Sequence, residues 1–151
     1  MFPDLSLHER LLKTLDEKEF QQPTQVQQQV IPAALAGRDL LVGAETGSGK
    51  TLSFLLPMLD RFLRQPAADS GTRALILAPT RELARQVFKE CQQFMKSTRL
   101  QVGLIMGGET FKYQRAMLRK NPEVIIATPG RLLEHFEHGN PDFSDLEILV
   151  L

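Results

Sequence analysis

Ala44-Glu45-Thr46-Gly47-Ser48-Gly49-Lys50-Thr51 has the residue types and spacing of a loop that binds polyphosphate. Gly47 and Gly49 let the backbone curl until successive N–H groups point inward at phosphate oxygens, and a helix opening at Lys50 adds the positive end of its dipole. Lys50 then places a point charge on the β and γ phosphates, and the Thr51 hydroxyl ligates Mg²⁺. Lys50 and Thr51 are the candidate catalytic residues, Thr51 the candidate metal ligand, and residues 44–51 together the candidate nucleotide cradle. The strict pattern has glycine where Ala44 stands, so the loop is a variant. The bland alternative is a strand-to-helix turn that binds nothing, but such a turn has no need of Lys and Thr side by side.

A loop of this kind works between a buried strand and an apolar helix, and the surrounding periodicity predicts both. Leu40 to Ala44, Ala74 to Ala78, Val102 to Met106, Val124 to Ala127 and Ile148 to Leu151 are short runs rich in Val, Ile and Leu, expected of parallel strands covered on both faces. Between them, helical spacing runs from Lys50 to about Leu63, Thr80 to about Lys96, Thr110 to about Arg119 and Gly130 to about His138. The alternation predicts an α/β fold, a mostly parallel open sheet with helices on both faces and ligands beyond the carboxyl ends of the strands. Upstream, Ser6-Leu7-His8-Glu9 reads as a capping box opening a helix that carries Leu7, Leu11, Leu12 and Leu15 and stops near Asp16. A second helix follows Thr24, with Val26, Val30 and Ile31 on its buried side, and ends before Gly37. Pro66 to Thr72 reads as an exposed loop. In the helix after Thr80, Leu83, Val87, Cys91, Phe94 and Met95 form the expected buried stripe.

Composition narrows the class. With 151 residues, 42% apolar, 24% charged and no tryptophan, the chain suits one compact core and excludes a disordered tail or a fibre. Basic and acidic residues number 18 each, so any polyanion site is a local patch. The lone Cys91 forms no internal disulfide, which fits a reducing compartment, the cytosol. His135 and His138 lie three apart on a helix but lack a third metal ligand and read as surface residues. The apolar run from Leu52 to Leu59 is interrupted by Ser53 and Pro57 and is too short to span a bilayer.

Further blocks carry a family resemblance over the whole chain. Phe20-Gln21-Gln22-Pro23-Thr24-Gln25-Val26-Gln27, with Phe2 as the isolated upstream aromatic, resembles the Q motif of the DEAD-box ATP-dependent RNA helicases. Pro79-Thr80-Arg81-Glu82-Leu83-Ala84 resembles motif Ia, Gly107-Gly108 motif Ib, and Thr128-Pro129-Gly130-Arg131 the next RNA-contacting motif. One departure is Glu19, where the family usually has glycine. After Leu151 the family continues with Asp-Glu-Ala-Asp.

The resemblance implies a RecA-like P-loop NTPase domain, C-terminally incomplete, spanning 1–151 with a Q-motif region at 2–29, a phosphate loop at 44–51, and a second RecA-like domain absent. It implies ATP and Mg²⁺ as cofactors and RNA as partner, with duplex unwinding by the intact protein and no appreciable hydrolysis by the piece alone. A DNA helicase or a non-catalytic nucleotide-binding module is the rival. By resemblance Gln27 reads adenine, for which a carboxamide fork is suited, although Thr24 to Gln27 is equally a capping box. Phe20 packs on the base or on the helix entry. Thr80, Arg81, Gly107, Gly108, Thr128 and Arg131 are the implied RNA contacts, with both threonines also suited as plain caps. The resemblance further implies that the Leu40 to Ala44 strand is left with an unpaired, apolar edge.

Overall fold

Four short apolar segments pair in parallel to form a sheet with strand order β2-β3-β1-β4, where β1 is Ala74–Leu77, β2 Val102–Ile105, β3 Val124–Ala127 and β4 Ile148–Val150. The computed structural model describes residues 1–67 and 70–151, which divide into two compact units, Met1–Pro66 and Ala67–Leu151. The sheet lies in the second unit, with α4 (Arg81–Met95), α5 (Phe111–Arg119) and α6 (Pro129–Glu137) as its crossovers.

The β1-to-β2 connection runs in one direction along the sheet, and the β2-to-β3 and β3-to-β4 connections run back. Right-handed crossovers therefore put α4 on one face and α5 and α6 on the other. Burial agrees: Leu75, Ile105, Ile125 and Ala127 pack with Leu118 of α5 and Leu132 of α6 in one cluster. The alternate strand residues Ala74, Ile76, Val124 and Ile126 are buried as well, so β1 and β3 are covered on both sides, as their unbroken Val/Ile/Leu runs require. Gly103 in β2 leaves room for the Met117 sulfur, which a Cβ there would overlap.

The first unit holds a 3₁₀ turn (Phe2–Leu5), α1 (Glu9–Glu17), α2 (Gln25–Leu35) and α3 (Lys50–Arg64). Leu11, Leu15, Ile31, Leu55, Leu59 and Phe62 are fully buried, each contributing about 1.5–3 kcal/mol. The N-terminal segment is tied to α3 through Asp60, which accepts the His8 N–H at 2.7 Å and pairs with Arg64, while Arg64 also donates to the Ser6 carbonyl at 2.9 Å.

Several expectations need correction. Ser6 does not cap α1: it stands in the left-handed region at φ 60, ending the 3₁₀ turn that buries Phe2, and His8 caps α1 by accepting the Arg10 N–H. Residues 40–44 form no strand, and Leu40, Leu41 and Val42 are exposed. A strand exists only with a hydrogen-bonding neighbour, and no described segment pairs with this one. On α4, Leu83 is exposed and Ala84 is buried in its place, because the stripe Ala84-Val87-Cys91-Phe94 leaves Leu83 to one side. Of the stretch from Pro66 to Thr72, Ala68 and Asp69 lie outside the described residues. Gly71 and Thr72 are buried rather than exposed, the Gly71 N–H donating to Asp145 and the Thr72 hydroxyl to the Pro122 carbonyl.

Candidate functional site

In the first unit the candidate phosphate loop, residues 44–51, has the backbone that its glycines predict. Gly47 and Gly49 lie at φ 82 and 86, where residues with a Cβ are strained. Gly49 is the N-cap of α3 and offers no capping side chain, so the opening N–H groups of α3 remain directed at whatever faces the loop. Lys50 is exposed, and its ammonium group donates to the Ala44 carbonyl at 2.7 Å, closing the loop between its ends. Thr51 is half-buried one residue further into α3, and Glu45 and Thr46 are exposed. The Ser48 hydroxyl is buried with no hydrogen-bond partner, a donor that an anion in the loop would satisfy.

Thr24 and Gln27 sit directly over this loop. They form the reciprocal capping box of α2: the Thr24 N–H donates to Gln27 Oε1 at 2.9 Å and the Gln27 N–H to Thr24 Oγ1 at 3.3 Å. Gln27 Nε2 also donates to the Gly49 carbonyl at 3.2 Å, and the side chain is 4% exposed. A Cβ on Gly49 would come within 2.5 Å of Gln27 Nε2. The capping geometry uses one lone pair of Oε1 and one hydrogen of Nε2, leaving one of each for a base. Phe20 is 41% exposed, with the Lys18 ammonium group 5.6 Å from its ring centroid. Glu19 before it adopts φ 61 and its N–H donates to the Asp16 carbonyl, so the turn that favours glycine is made here by a glutamate.

In the second unit Leu77, Ala127 and Ile105 stand in register at the carboxyl ends of β1, β3 and β2. The segments that follow each strand therefore emerge at one end of the sheet: Thr80-Arg81, Thr128 to Arg131, and Gly107-Gly108. Thr80 caps α4, accepting the Leu83 N–H at 3.2 Å, whereas the Thr128 hydroxyl makes no capping bond. The Arg81 guanidinium lies against the two glycines. A Cβ on Gly107 would be 3.0 Å from its Nη2, and one on Gly108, which has φ 83, would be 2.6 Å from its Nη1. Gly108 is favoured as glycine by its left-handed backbone, whereas a side chain at Gly107 would displace only the exposed end of Arg81.

Arg131 is largely committed to structure. Its Nη1 donates to the Glu109 carbonyl at 2.8 Å and to Gln114 Oε1 at 3.2 Å, and its Nε lies 3.4 Å from a Glu134 oxygen without hydrogen-bond geometry. The nearby His135 is fully buried, which corrects its reading as a surface residue. It stacks on Phe111 at 4.1 Å, and its Nε2 meets Gln114 Oε1 at 3.0 Å and its Nδ1 meets Asn140 Nδ2 at 3.1 Å. An amide NH₂ can only donate, so Nδ1 accepts and the proton sits on Nε2. Burial, and then the Arg131 charge, hold its pKa below the usual 6.5. His138 is exposed, and among the described residues no three His, Cys, Asp or Glu side chains are grouped to hold a metal. The sequence reading missed Gln114, although a glutamine one turn before Leu118 in an otherwise core-facing row is the signal of a buried polar hub.

Residues 24–151 match the family model described as DEAD/DEAH box helicase. The chain belongs to this helicase family. Among its relatives, the "DEAD-box ATP-dependent RNA helicase 28" of Arabidopsis thaliana is 42% identical over 151 residues, covering 99% of this chain and 19% of that protein. The "Probable ATP-dependent RNA helicase ddx27" of Dictyostelium discoideum is 46% identical over 152 residues, with the same shares covered. The crystal structure of a hypothetical ATP-dependent RNA helicase from Sulfolobus tokodaii superposes with a TM-score of 0.84 at 34% identity, covering 95% of this chain and 40% of that one. This DEAD/DEAH box chain therefore has the RecA-like fold and spans about a fifth of the length of the curated relatives it matches.

Proposed function

We propose that the chain supplies the ATP-binding loop and the first RNA contacts of an ATP-dependent RNA helicase. The observation that carries this reading is the loop itself: two left-handed glycines, an uncapped α3 N-terminus and a buried, unpartnered Ser48 hydroxyl together suit a bound polyphosphate. On binding, Lys50 exchanges the Ala44 carbonyl for the β and γ phosphate oxygens, which is a better partner for an ammonium group. The Thr51 hydroxyl, on the half-buried residue after Lys50, would hold Mg²⁺, which when bound would offset charge on the transferring phosphoryl group. Gln27, next to the loop, would read adenine with the lone pair and N–H left over from capping, with Phe20 packing beside the base.

RNA would lie across the carboxyl ends of β1, β2 and β3, held by Thr80, Arg81, Gly107, Gly108, Thr128 and Arg131 through backbone phosphates and sugars. Affinity of that kind is largely independent of sequence. A second RecA-like domain would complete hydrolysis and duplex unwinding, and the single buried cysteine suits work in the cytosol. The test is ATPase stimulation in the full-length protein by matched RNA and DNA single strands. Stimulation by RNA and little by DNA is expected; stimulation by DNA alone, or ATP binding that no nucleic acid affects, overturns the reading.

A further inference from the structure

Gln114 is buried at 5% exposure and touches both of the proposed RNA-contacting segments that follow β2 and β3. Its Nε2 donates to the Met106 carbonyl at 2.8 Å, and its Oε1 accepts from Arg131 Nη1 at 3.2 Å and from His135 Nε2 at 3.0 Å. Both lone pairs of the oxygen are filled, and the orientation of the amide is fixed, because Met106 offers only an acceptor and Arg131 only donors. His135 cannot reverse the arrangement while Asn140 donates to its other nitrogen.

The Met106 carbonyl and the Gly107 N–H belong to one planar trans peptide unit, so they point in opposite directions. Anchoring that carbonyl on Gln114 inside the fold therefore aims the Gly107 N–H away from Gln114, at the start of the glycine turn. The same carboxamide holds one hydrogen of Arg131 Nη1, and the Glu109 carbonyl holds the other, which leaves Nη2 as the part of the fork available to an anion. A leucine would fill this space as Leu118 does one turn later, but it would strand three polar groups. A polar hub in an otherwise apolar row specifies geometry.

We infer that Gln114 is a positioning residue for RNA, fixing the Gly107 N–H and the Arg131 guanidinium relative to each other so that both meet one stretch of backbone. This rests on reading these segments as RNA contacts. Gln114 itself touches no RNA.

The test is the Kd of the full-length protein for an unstructured oligouridylate, across a salt series, for Gln114→Met, Gln114→Glu, Arg131→Ala and the Gln114→Met/Arg131→Ala pair. Gln114→Met should raise Kd roughly five- to tenfold and flatten the salt dependence by up to about one unit of slope, as Arg131→Ala does, with ATP affinity unchanged. The pair should lose less than the product of the single losses, since both act on one contact. Gln114→Glu keeps the acceptor side but not the donor to Met106, so it should fall between parent and Gln114→Met; if Gln114→Met does not fold, its affinity and salt slope decide. A merely structural role would lower the melting temperature and leave affinity and slope at parent values. That result, with Arg131→Ala still impaired, overturns the positioning role alone. Parent affinity in Arg81→Ala and Arg131→Ala as well overturns the RNA reading of these segments.

Discussion

The Gln27 carboxamide nitrogen donates to the carbonyl oxygen of Gly49 at 3.2 Å, linking residues 22 apart in sequence. The first turn of α2 is thereby fastened to the N-cap residue of α3, within the candidate phosphate loop, and one side chain serves as helix cap, loop anchor and proposed base reader.

Replacing Gln27 separates these roles. Gln27→Ala should cost about 1 kcal/mol of stability through the lost cap. Both ATP and GTP should lose whatever the loop anchor contributes, and ATP should lose a further factor of roughly five to ten for the missing base contact. Nucleotide titration of parent and variant checks this, and equal losses for ATP and GTP would leave Gln27 with capping and anchoring alone.

Glu19 is a second, independent target. It adopts φ 61 where α1 ends, a conformation that costs a residue with a Cβ about 1 kcal/mol relative to glycine. Glu19→Gly should therefore raise the melting temperature by about 4 °C. Thermal denaturation reads the change directly; an unchanged or lower value would show that the glutamate side chain compensates for its backbone.

What the sequence made legible follows from how local each signal is. The ends of β3 and the cap of α2 at Thr24 were readable because a Val/Ile run and a capping box are complete within a few residues. The start of α1 was not: Ser6-Leu7-His8-Glu9 contains a sound local box, but burial of Phe2 and the hydrogen bond that the His8 N–H donates to Asp60 select a different cap. Residues 40–44 have strand composition yet no strand, since pairing is a property of two segments. His135 was misread because its burial depends on Phe111, Gln114 and Asn140, none of which a helical pattern around His135 reveals. The left-handed turns at Gly47 and Gly49 and the helix opening at Lys50 were legible, since each needs only backbone conformation or spacing that a few residues carry.

The buried His135 gives stability a dependence on pH. Its folded-state pKa lies below the unfolded value near 6.5, so within the interval between the two the unfolded chain binds more protons than the folded one. This contribution is fully present above pH 6.5 and is lost as pH falls through the lowered value. Urea unfolding at a series of pH values should show that slope in the parent and a flatter profile in His135→Gln; equal slopes would assign the acid sensitivity to other groups.

Arg81 rests on Gly107 and Gly108 with its guanidinium exposed at the end of the sheet. Arg81→Ala should weaken binding to unrelated RNA sequences alike and lower the salt slope by about one or less, as expected for one phosphate contact. Parallel titrations with oligouridylate and a mixed-sequence RNA check it. A loss confined to one sequence would mean that Arg81 reads bases.

If residues 44–51 bind the nucleotide whose hydrolysis RNA stimulates, Lys50 is the side chain whose loss should be felt most. Lys50→Ala removes the ammonium group that now rests on the Ala44 carbonyl and leaves the buried side of α3 untouched, so the fold should persist. The deciding measurement is RNA-stimulated ATP turnover by the full-length protein and its Lys50→Ala variant, with circular dichroism confirming that both are folded. Turnover should rise with single-stranded RNA in the parent and be almost abolished in the variant; parent-level turnover in folded Lys50→Ala would mean that this loop does not hold the nucleotide.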